Sequence, residues 1–315
     1  MTIQKYEDWM RPQVVALFNL EYGTPIEEFD ALFGSFYEHP FQRENGIRIV
    51  ALDGEKVAGF QSFFYWPVMK DGMLLKSYQS GNSLVHPEFR GQRLFARMLN
   101  FIHEPDSGFD CELLIGFPVE ASYNSFIRNN WLNPFNLQWY AKLINPFLSL
   151  ASNPEAQLKK HFADRPESDF SAEMGITCVR QSVAFDQYRF SYEKGDFYRF
   201  VWKENGMEAF FEMKAQRRKK IIKELVIGKF LTTHQNDDFI RKAFAALISE
   251  VKRTANFTMI SFAFNPLVAT LVNAMDTNGF RKIDKRIYFI AKGPIAENVA
   301  DWSKWWIFRS DIDTW

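Results

Sequence analysis

The sequence predicts an α+β protein whose helices pack on a mixed β-sheet, with a similar order of elements used twice along the chain. Two observations lead to this prediction. Apolar residues follow a strand-like pattern up to Val85 and then recur at helical spacing from Leu94 to Ile102. A similar order of strands, helix, strand, helix and strand returns later in the chain, which indicates an internal structural duplication.

The first predicted domain covers residues 1–145. The turn dipeptides Asp53-Gly54 and Asp71-Gly72 separate apolar-rich segments, which is typical of antiparallel hairpins. The predicted elements are a strand at Thr2–Glu7, helices at Arg11–Leu20 and Pro25–Tyr37, strands at Ile47–Leu52, Val57–Trp66 and Leu74–Val85, a helix starting at Gly91, a strand at Glu112–Phe117, a helix at Ala121–Asn129 and a strand at Phe135–Ile144.

Residues 146–177 are predicted to be a linker that holds one helix near Pro154–Phe162, and residues 178–315 to be a second domain with a C-terminal tail. Asn278-Gly279 marks the end of one of its helices. The predicted elements are strands at Met207–Met213, Lys219–Glu224 and Val226–Leu231, a helix at Asp238–Arg253, a strand at Phe257–Phe264, a helix at Leu267–Thr277 and a strand at Ile283–Ala291.

The composition narrows the class of protein. The chain has 315 residues, enough for two domains with cores, and its 38 basic and 38 acidic residues balance. A neutral chain argues against nucleic acid or an anionic membrane as a partner. The start is polar, and no apolar run approaches the ~18 residues that span a bilayer. Two cysteines and scattered histidines support neither a disulfide framework nor a metal site. We therefore expect a soluble cytoplasmic protein without a metal.

The most informative segment is Gly81–Leu99, where a predicted strand passes through a tight turn into a predicted helix. The first turn of a helix leaves backbone N–H groups without partners, and the helix dipole adds positive potential there. A pyrophosphate supplies the missing acceptors. Gly91 allows close approach of the main chain, and Arg90 and Arg93 add positive charge.

This segment resembles motif A of the GNAT superfamily of acyl-CoA N-acyltransferases, in which an Arg-Gly turn binds CoA. Arg93 and Phe95 stand where small residues are usual, and both are expected to tolerate helical dihedrals. The resemblance covers residues 2–145, and more weakly the second domain, as in two-domain relatives. It implies a duplicated GNAT-like fold and acetyl-CoA or another acyl-CoA as co-substrate. The matching residues are Val85, Pro87, Phe89, Arg90 and Gly91. The CoA-binding residues that the resemblance implies are Leu84, Val85, Arg90, Gly91, Gln92, Arg93, Leu94, Phe95 and Ser122.

The segment Gly116–Trp131 resembles a later motif of the same family. Ser122 and Trp131 fit its spacing, whereas Val119, Phe126 and Asn130 replace the usual Asn, Tyr and Gly. The family's Tyr acts as general acid toward the departing CoA thiolate. Phe126 leaves that role to Tyr123 or to a water molecule.

The resemblance implies that the amine of a small molecule attacks the acyl thioester directly. A backbone N–H near Leu84 or Val85 would face the oxyanion. Because an alkylamine is mostly protonated at neutral pH, a base or a water chain is needed. The tail is similar to the Trp-then-Asp-x-Asp ending of some two-domain relatives, which makes Asp311 and Asp313 candidates. The other candidate carboxylates are Glu21, Glu27 and Glu28.

Two alternatives stay open at this level. The replacements at Arg93, Val119 and Phe126 also fit a catalytically idle GNAT-like binding protein. An acyltransferase that uses a different acyl carrier is the other alternative. Nucleophilic hydrolysis is disfavoured, because the sequence has no Gly-x-Ser-x-Gly elbow and no evident Cys/His pair.

Overall fold

The computed structural model describes residues 1–144, 175–193, 197–218, 222–254 and 256–314. Residues 1–144 are called the first half of the chain, and residues 175–314 are called the second half. Both contribute strands to one eleven-stranded mixed sheet and to a separate four-stranded sheet. The predicted linker lies outside the described residues up to 174, together with its predicted helix.

The first half contains the predicted elements in the predicted order. It also contains a helix at Pro40–Asn45 and a strand at Val68–Lys70 that the sequence did not predict, and two predicted elements differ in form. The predicted helix Pro25–Tyr37 is an α-helix followed by a π-helical turn at Gly34–Glu38. The predicted strand Leu74–Val85 is interrupted at Lys76, whose backbone N–H donates to Glu112 Oε2 at 2.7 Å. The elements are β1 Thr2–Lys5, α1 Arg11–Tyr22, α2 Ile26–Phe33, α3 Pro40–Asn45, β2 Ile47–Asp53, β3 Lys56–Tyr65, β4 Val68–Lys70, β5 Met73–Leu75, β6 Ser77–Val85, α4 Leu94–Phe101, β7 Leu113–Gly116, α5 Glu120–Arg128 and β8 Leu132–Leu143.

Among its described residues, the second half contains elements that the sequence did not predict: helices at Val183–Tyr192 and Pro294–Glu297 and strands at Thr177–Val179, Phe197–Glu204 and Trp305–Trp306. Residues 222–224 of the strand predicted at 219–224 form one strand with the segment predicted at 226–231. The elements are β9 Thr177–Val179, α6 Val183–Tyr192, β10 Phe197–Glu204, β11 Met207–Arg218, β12 Ile222–Thr232, α7 Asp237–Thr254, β13 Met259–Phe264, α8 Ala269–Thr277, β14 Arg281–Lys292, α9 Pro294–Glu297 and β15 Trp305–Trp306.

The large sheet contains the same pairing pattern twice, which confirms the predicted duplication. Its strand order is β1-β2-β3-β6-β7-β14-β8-β13-β12-β11-β10. In the first half, β2, β3 and β6 pair antiparallel, β6 pairs parallel with β7, and β7 pairs antiparallel with β14. In the second half, β10, β11, β12, β13 and β8 repeat this series of directions. The last long strand of each half therefore pairs with the other half: β14 pairs with β7, and β8 pairs with β13.

The exchanged strands lie next to each other at the centre of the sheet. β14 pairs antiparallel with β8 from Arg281 opposite Ala141 to Ala291 opposite Leu132. The apolar periodicity of the sequence predicts that these strands exist. Which strands they pair with depends on contacts between residues far apart in sequence. The exchange joins the two halves through main-chain pairing of β14 with β8 on both sides of an irregular stretch between Lys282 and Arg286.

The C-terminal tail packs into the core. Trp305 and Ile307 lie in the core cluster on one face of the structure, and Trp306 and Phe308 lie in the cluster on the other. Trp305 is only 1% exposed and Trp306 only 2%. Among the described residues, no helix has the length and apolar character needed to cross a bilayer.

Candidate functional site

A cavity of about 460 Å³ lies between the turn that follows β6 and the last turn of α5. One wall comes from the end of β6, the turn and the start of α4, and the other comes from α5. The lining residues are Val85, Phe89, Arg90, Gly91, Arg93, Leu94, Phe95, Ala96, Ser125, Arg128 and Asn129. The cavity thus combines an apolar floor with arginine side chains and a helix N-terminus.

The turn between β6 and α4 holds two residues in the left-handed region. After a short 3-10 helix at Pro87–Phe89, Gly91 has a φ of 80° and Arg93 a φ of 57°. The prediction that the helix begins at Gly91 is wrong, since α4 begins at Leu94 with Arg93 as its N-cap. The expectation that Arg93 is helical is also wrong. Arg93, which stands where the GNAT motif usually has glycine, therefore adopts the left-handed backbone conformation that glycine favours.

Gly91 itself leaves space for a ligand. A Cβ atom built on Gly91 meets no atom within 4 Å. The main chain is therefore accessible at the apex of the turn. A side chain there would need a left-handed conformation, which costs an ordinary residue roughly 1–2 kcal/mol.

The N-terminus of α4 suits an anion, and the corresponding helix of the second half does not. The first turn of α4 carries no acidic residue. The first turn of α7 carries Asp237 and Asp238, and the Phe239 N–H already donates to Asn236 Oδ1 at 3.0 Å. Two carboxylates at a helix N-terminus compete with a bound phosphate for the same positive potential. Of these two helix N-termini, only that of α4 therefore fits a diphosphate.

The three arginines of the cavity differ in their partners. Arg90 Nη2 lies 2.5 Å from Glu21 Oε2 at the end of α1, and its Nε donates to the Val85 carbonyl at 3.3 Å. Arg93 and Arg128 are exposed and make no side-chain hydrogen bond or ion pair with any residue that the structure describes. The cavity therefore presents two guanidinium groups that are available to an anion.

The strands β6 and β7 separate beside the cavity. They pair only where Ser77–Gln79 lies opposite Leu113–Ile115. Beyond this point β6 continues to Val85, whereas β7 ends at Gly116. A gap of this kind exposes main-chain N–H and C=O groups of β6 that would otherwise form a ladder.

The register of β6 against β3 indicates which N–H faces the gap. The His86 N–H donates to the Ala58 carbonyl at 2.9 Å, and Gly59 lies opposite Val85. Because antiparallel pairs alternate, the N–H of Leu84 points to β3 and that of Val85 points away from it. Of the two predicted oxyanion donors, Val85 is the one that the geometry favours.

A β-bulge lies in β6 just before this point. Gln61 lies opposite Ser83 and Phe63 opposite Ser80, so β6 contains one more residue than β3 over this stretch. A Cβ atom on Gly81 would lie 2.4 Å from Phe64 Cε2, which only glycine avoids. A bulge re-aims the side chains that follow it.

The bulge carries a polar side chain, Asn82, on the path towards Val85. The Tyr37 hydroxyl, from the π-helical turn, donates to Asn82 Oδ1 at 2.5 Å. Tyr37 is only 2% exposed, and burial raises the pKa of its hydroxyl far above the ordinary value. The Asp313 carboxylate in the tail is close enough to raise the pKa of Tyr37 further. Neither Tyr37 nor Asn82 was predicted from the sequence to be a site residue.

The predicted CoA-binding residues divide into two groups. Six of them line the cavity, while Leu84 is buried in the core and Gln92 and Ser122 are not among the lining residues. The Ser122 hydroxyl donates to the Val119 carbonyl of its own helix at 3.2 Å. Ser125, Arg128 and Asn129 line the cavity instead, and their helical spacing after Ser122 could have indicated them. The six lining residues are Val85, Arg90, Gly91, Arg93, Leu94 and Phe95.

The predicted general acid, Tyr123, is occupied elsewhere. Its hydroxyl donates to Asn133 Oδ1 at 3.0 Å, and its ring stacks on Tyr288 at 4.1 Å between centroids. Phe126, at the position of the family's Tyr, is buried and packs edge-on against Phe95 at 5.2 Å. Neither residue is among those lining the cavity.

The two candidate aspartates of the tail have different surroundings. Asp311 is fully buried, and its Oδ1 lies 2.5 Å from Lys229 Nζ while its Oδ2 accepts the Phe308 N–H at 2.8 Å. Such a carboxylate has no free approach for a substrate, which contradicts the prediction of a catalytic role for Asp311. Asp313 is half-buried; burial raises the pKa of its carboxyl, while Arg189 and Arg309 lower it.

The remaining candidates have local roles. Glu21 pairs with Arg90, whereas Glu27 and Glu28 are exposed in the first turn of α2. His86 Nδ1 accepts the Glu88 N–H at 3.3 Å within the turn. In the part of the chain that the structure describes, no three His, Cys, Asp or Glu residues are grouped to hold a metal ion.

The second half has a gap comparable to that between β6 and β7, and the tail occupies it. β12 and β13 pair only where Glu224–Ile227 lies opposite Met259–Phe262. The Asn265 N–H, just beyond β13, donates to the Ile307 carbonyl at 3.2 Å, and Phe308 forms a bridge with Phe264. The ion pair between Asp311 and Lys229 attaches the same segment to β12.

Comparisons with known proteins agree with this geometry at the level of the fold. No protein-family model matches the chain, and no curated protein matches it. The chain is similar to a GCN5-related N-acetyltransferase from Anabaena variabilis, with 10% identity over 92% of this chain and 72% of the other and a TM-score of 0.63. It is similar to a probable N-acyltransferase of unknown function from Enterococcus faecalis, with 12% identity over 92% and 72% and a TM-score of 0.62.

A further similar structure is that of Eis1 from Mycobacterium abscessus, with 11% identity over 94% of this chain and 74% of the other and a TM-score of 0.54. At these identities the likeness shows the fold. The chain has the fold of the GCN5-related N-acetyltransferases, which confirms the GNAT-like fold predicted from the sequence.

Proposed function

We propose that the chain is an acyl-CoA-dependent N-acyltransferase that moves an acetyl or other acyl group to the amine of a small molecule. The observation that carries this proposal is the left-handed turn at Gly91 and Arg93, which opens the N-terminus of α4 into a 460 Å³ cavity. A diphosphate would accept hydrogen bonds from the unpaired N–H groups of this turn and helix.

The separation of β6 and β7 supports a path for the pantetheine arm. The arm would run from the cavity past Val85 into the gap between the strands. The Val85 N–H would then donate to the carbonyl oxygen of the thioester as negative charge develops on it. Losing one preorganised donor of this type costs ~3–4 kcal/mol in transition-state stabilisation.

The amine would attack the thioester directly, from the side of the β6 bulge. An alkylamine has a pKa near ~10 and must lose a proton before or during attack. Asp313, a half-buried carboxylate of the tail whose charge acts on the Tyr37 hydroxyl, is the candidate acceptor, directly or through water. Thiolate departure would be assisted by water, since Tyr123 is bonded to Asn133.

The first experiment is a thermal-shift titration with acetyl-CoA and longer acyl-CoAs. A ligand at a hundred times its Kd stabilises the folded state by ~2.7 kcal/mol. We expect Gly91→Glu to abolish the shift. Gly206→Glu is the matched control, because Gly206 also has a left-handed φ, 78°, and open space around its Cβ position, in the turn between β10 and β11. Equal losses in both variants would contradict the proposed site.

A thiol-release assay over a panel of small amines then tests catalysis. Release of CoA that depends on both the amine and Gly91 supports the transferase. The buried Phe126 and the bonded Tyr123 favour the second candidate, a catalytically idle acyl-CoA-binding protein. Binding without thiol release would identify that function, and no binding of any acyl-CoA would favour a different acyl carrier.

A further inference from the structure

The cavity extends beyond the α4 N-terminus to a second wall formed by the last turn of α5. Ser125, Arg128 and Asn129 form this wall, and a volume of about 460 Å³ exceeds what a diphosphate alone would fill. Val85, Phe89, Leu94 and Phe95 supply apolar surface on the first wall. A ligand that fills the whole cavity combines phosphate at α4, a flat apolar group and another polar group at α5.

Arg93 and Arg128 line the cavity from its two different walls. Arg93 is the N-cap of α4, next to the N–H groups that would receive the diphosphate. Arg128 lies on the other wall and makes no side-chain hydrogen bond or ion pair with the residues that the structure describes. A guanidinium group binds a phosphate through parallel N–H donors, so Arg128 suits an anionic group separate from the diphosphate.

We propose that Arg128 binds the 3′-phosphate of coenzyme A, so that the cavity selects the free nucleotide donor over a pantetheine arm attached to a carrier protein. Coenzyme A carries a diphosphate, an adenine ring and a ribose 3′-phosphate. A carrier-bound arm has one phosphate and no adenosine. This inference rests on the proposed function, because it takes the diphosphate to lie at the α4 N-terminus.

A structural role for Arg128 predicts a different outcome. A cation in the last turn of a helix also compensates the helix dipole, which contributes about 0.3–1 kcal/mol to stability. In that case, replacing Arg128 would lower the melting temperature and leave the relative affinity for two ligands unchanged. The preference between ligands that differ only in the 3′-phosphate separates the two roles.

The experiment measures the Kd of CoA, 3′-dephospho-CoA and 4′-phosphopantetheine by calorimetry, for the unchanged protein and three variants. We expect the unchanged protein to prefer CoA over 3′-dephospho-CoA by about tenfold, as a charge-assisted contact implies. Arg128→Gln should bring this ratio to within about twofold of unity. Arg93→Gln should weaken both ligands alike and keep the ratio. Arg97→Gln is the control, because Arg97 is an exposed residue of α4 outside the cavity.

The outcomes distinguish this inference from the proposed function. CoA binding without a preference for the 3′-phosphate, or a preference that survives in Arg128→Gln, would overturn the inference and leave the function standing. Absence of CoA binding to the unchanged protein would overturn both. If Arg128→Gln fails to fold, Arg128→Lys keeps the charge but loses the paired donors, and a full tenfold ratio in that variant would refute a paired guanidinium–phosphate contact.

Discussion

Replacing Asp311 by Asn tests whether the tail is held by a buried ion pair. The side chain of Lys229 is 3% exposed and that of Asp311 is 0% exposed, with 2.5 Å between Nζ and Oδ1. Asp311→Asn removes the charge, keeps an oxygen that can accept the Phe308 N–H, and takes away the carboxylate in contact with the buried Lys229. Glu212, opposite Lys229 on β11, remains as the other carboxylate near it. Breaking a buried pair in this way costs about 3–5 kcal/mol of unfolding free energy.

The expected change in melting temperature follows from the size of the chain. Unfolding entropy is about 2.1 cal/mol/K per residue, which gives about 0.7 kcal/mol/K for 315 residues. A loss of 3–5 kcal/mol therefore lowers the melting temperature by about 5–8 °C. Circular dichroism during heating and urea titration would measure both quantities.

Two variants serve as controls for Asp311→Asn. Asp8 forms an exposed ion pair with Arg43 at 3.4 Å, so Asp8→Asn should cost less than about 1 kcal/mol. The double change Lys229→Met with Asp311→Asn removes both charges, keeps an acceptor for the Phe308 N–H and should recover part of the lost stability. If Asp311→Asn is no more costly than Asp8→Asn, the tail is not attached through this pair.

Three other outcomes are expected. Burial raises the pKa of Cys111 to about 12, so at pH 8 Cys111 should react with a disulfide reagent about a hundredfold more slowly than an unstructured cysteine; a fast reaction would show that the thiol is exposed. Tyr123→Phe should cost about 1 kcal/mol of stability through the lost bond to Asn133 and change the transfer rate less than twofold; a hundredfold lower kcat would restore Tyr123 as the acid. A fragment of residues 1–144 should lack a dispersed NMR spectrum because β14, which pairs with both β7 and β8, is missing, and co-expression with residues 145–315 should restore it; independent cooperative folding of the fragment would contradict this expectation.

Local pattern predicted most of the elements that form the site. The switch from strand to helix spacing between Val85 and Leu94 located the turn, and the Arg-Gly pair indicated the end at which an anion is proposed to bind. The conformation of Arg93 could not be predicted in the same way. A left-handed residue at an N-cap is stabilised by its surroundings, and an arginine gives no local signal for it.

Features that depend on distant contacts were not predictable from one sequence. The exchange of β8 and β14 leaves no trace in periodicity, because a strand has the same alternation whichever neighbour it pairs with. The π-helical turn that carries Tyr37, and its bond to Asn82, depend on packing against β6. The burial of Asp311 could not be predicted either, since an Asp-x-Asp ending is compatible with an exposed tail and with a buried one.

The insertion of the tail between β12 and β13 explains why the two copies of the fold diverge. A parallel strand pair that opens apart needs something to satisfy its exposed amides and cover its apolar edges. In one copy the chain meets this need with its own last residues, including Ile307 and Phe308. Among the residues that the structure describes, this segment therefore fills the gap between β12 and β13. The N-terminus of α7 therefore needs neither glycine nor positive charge, and it carries Asp237 and Asp238.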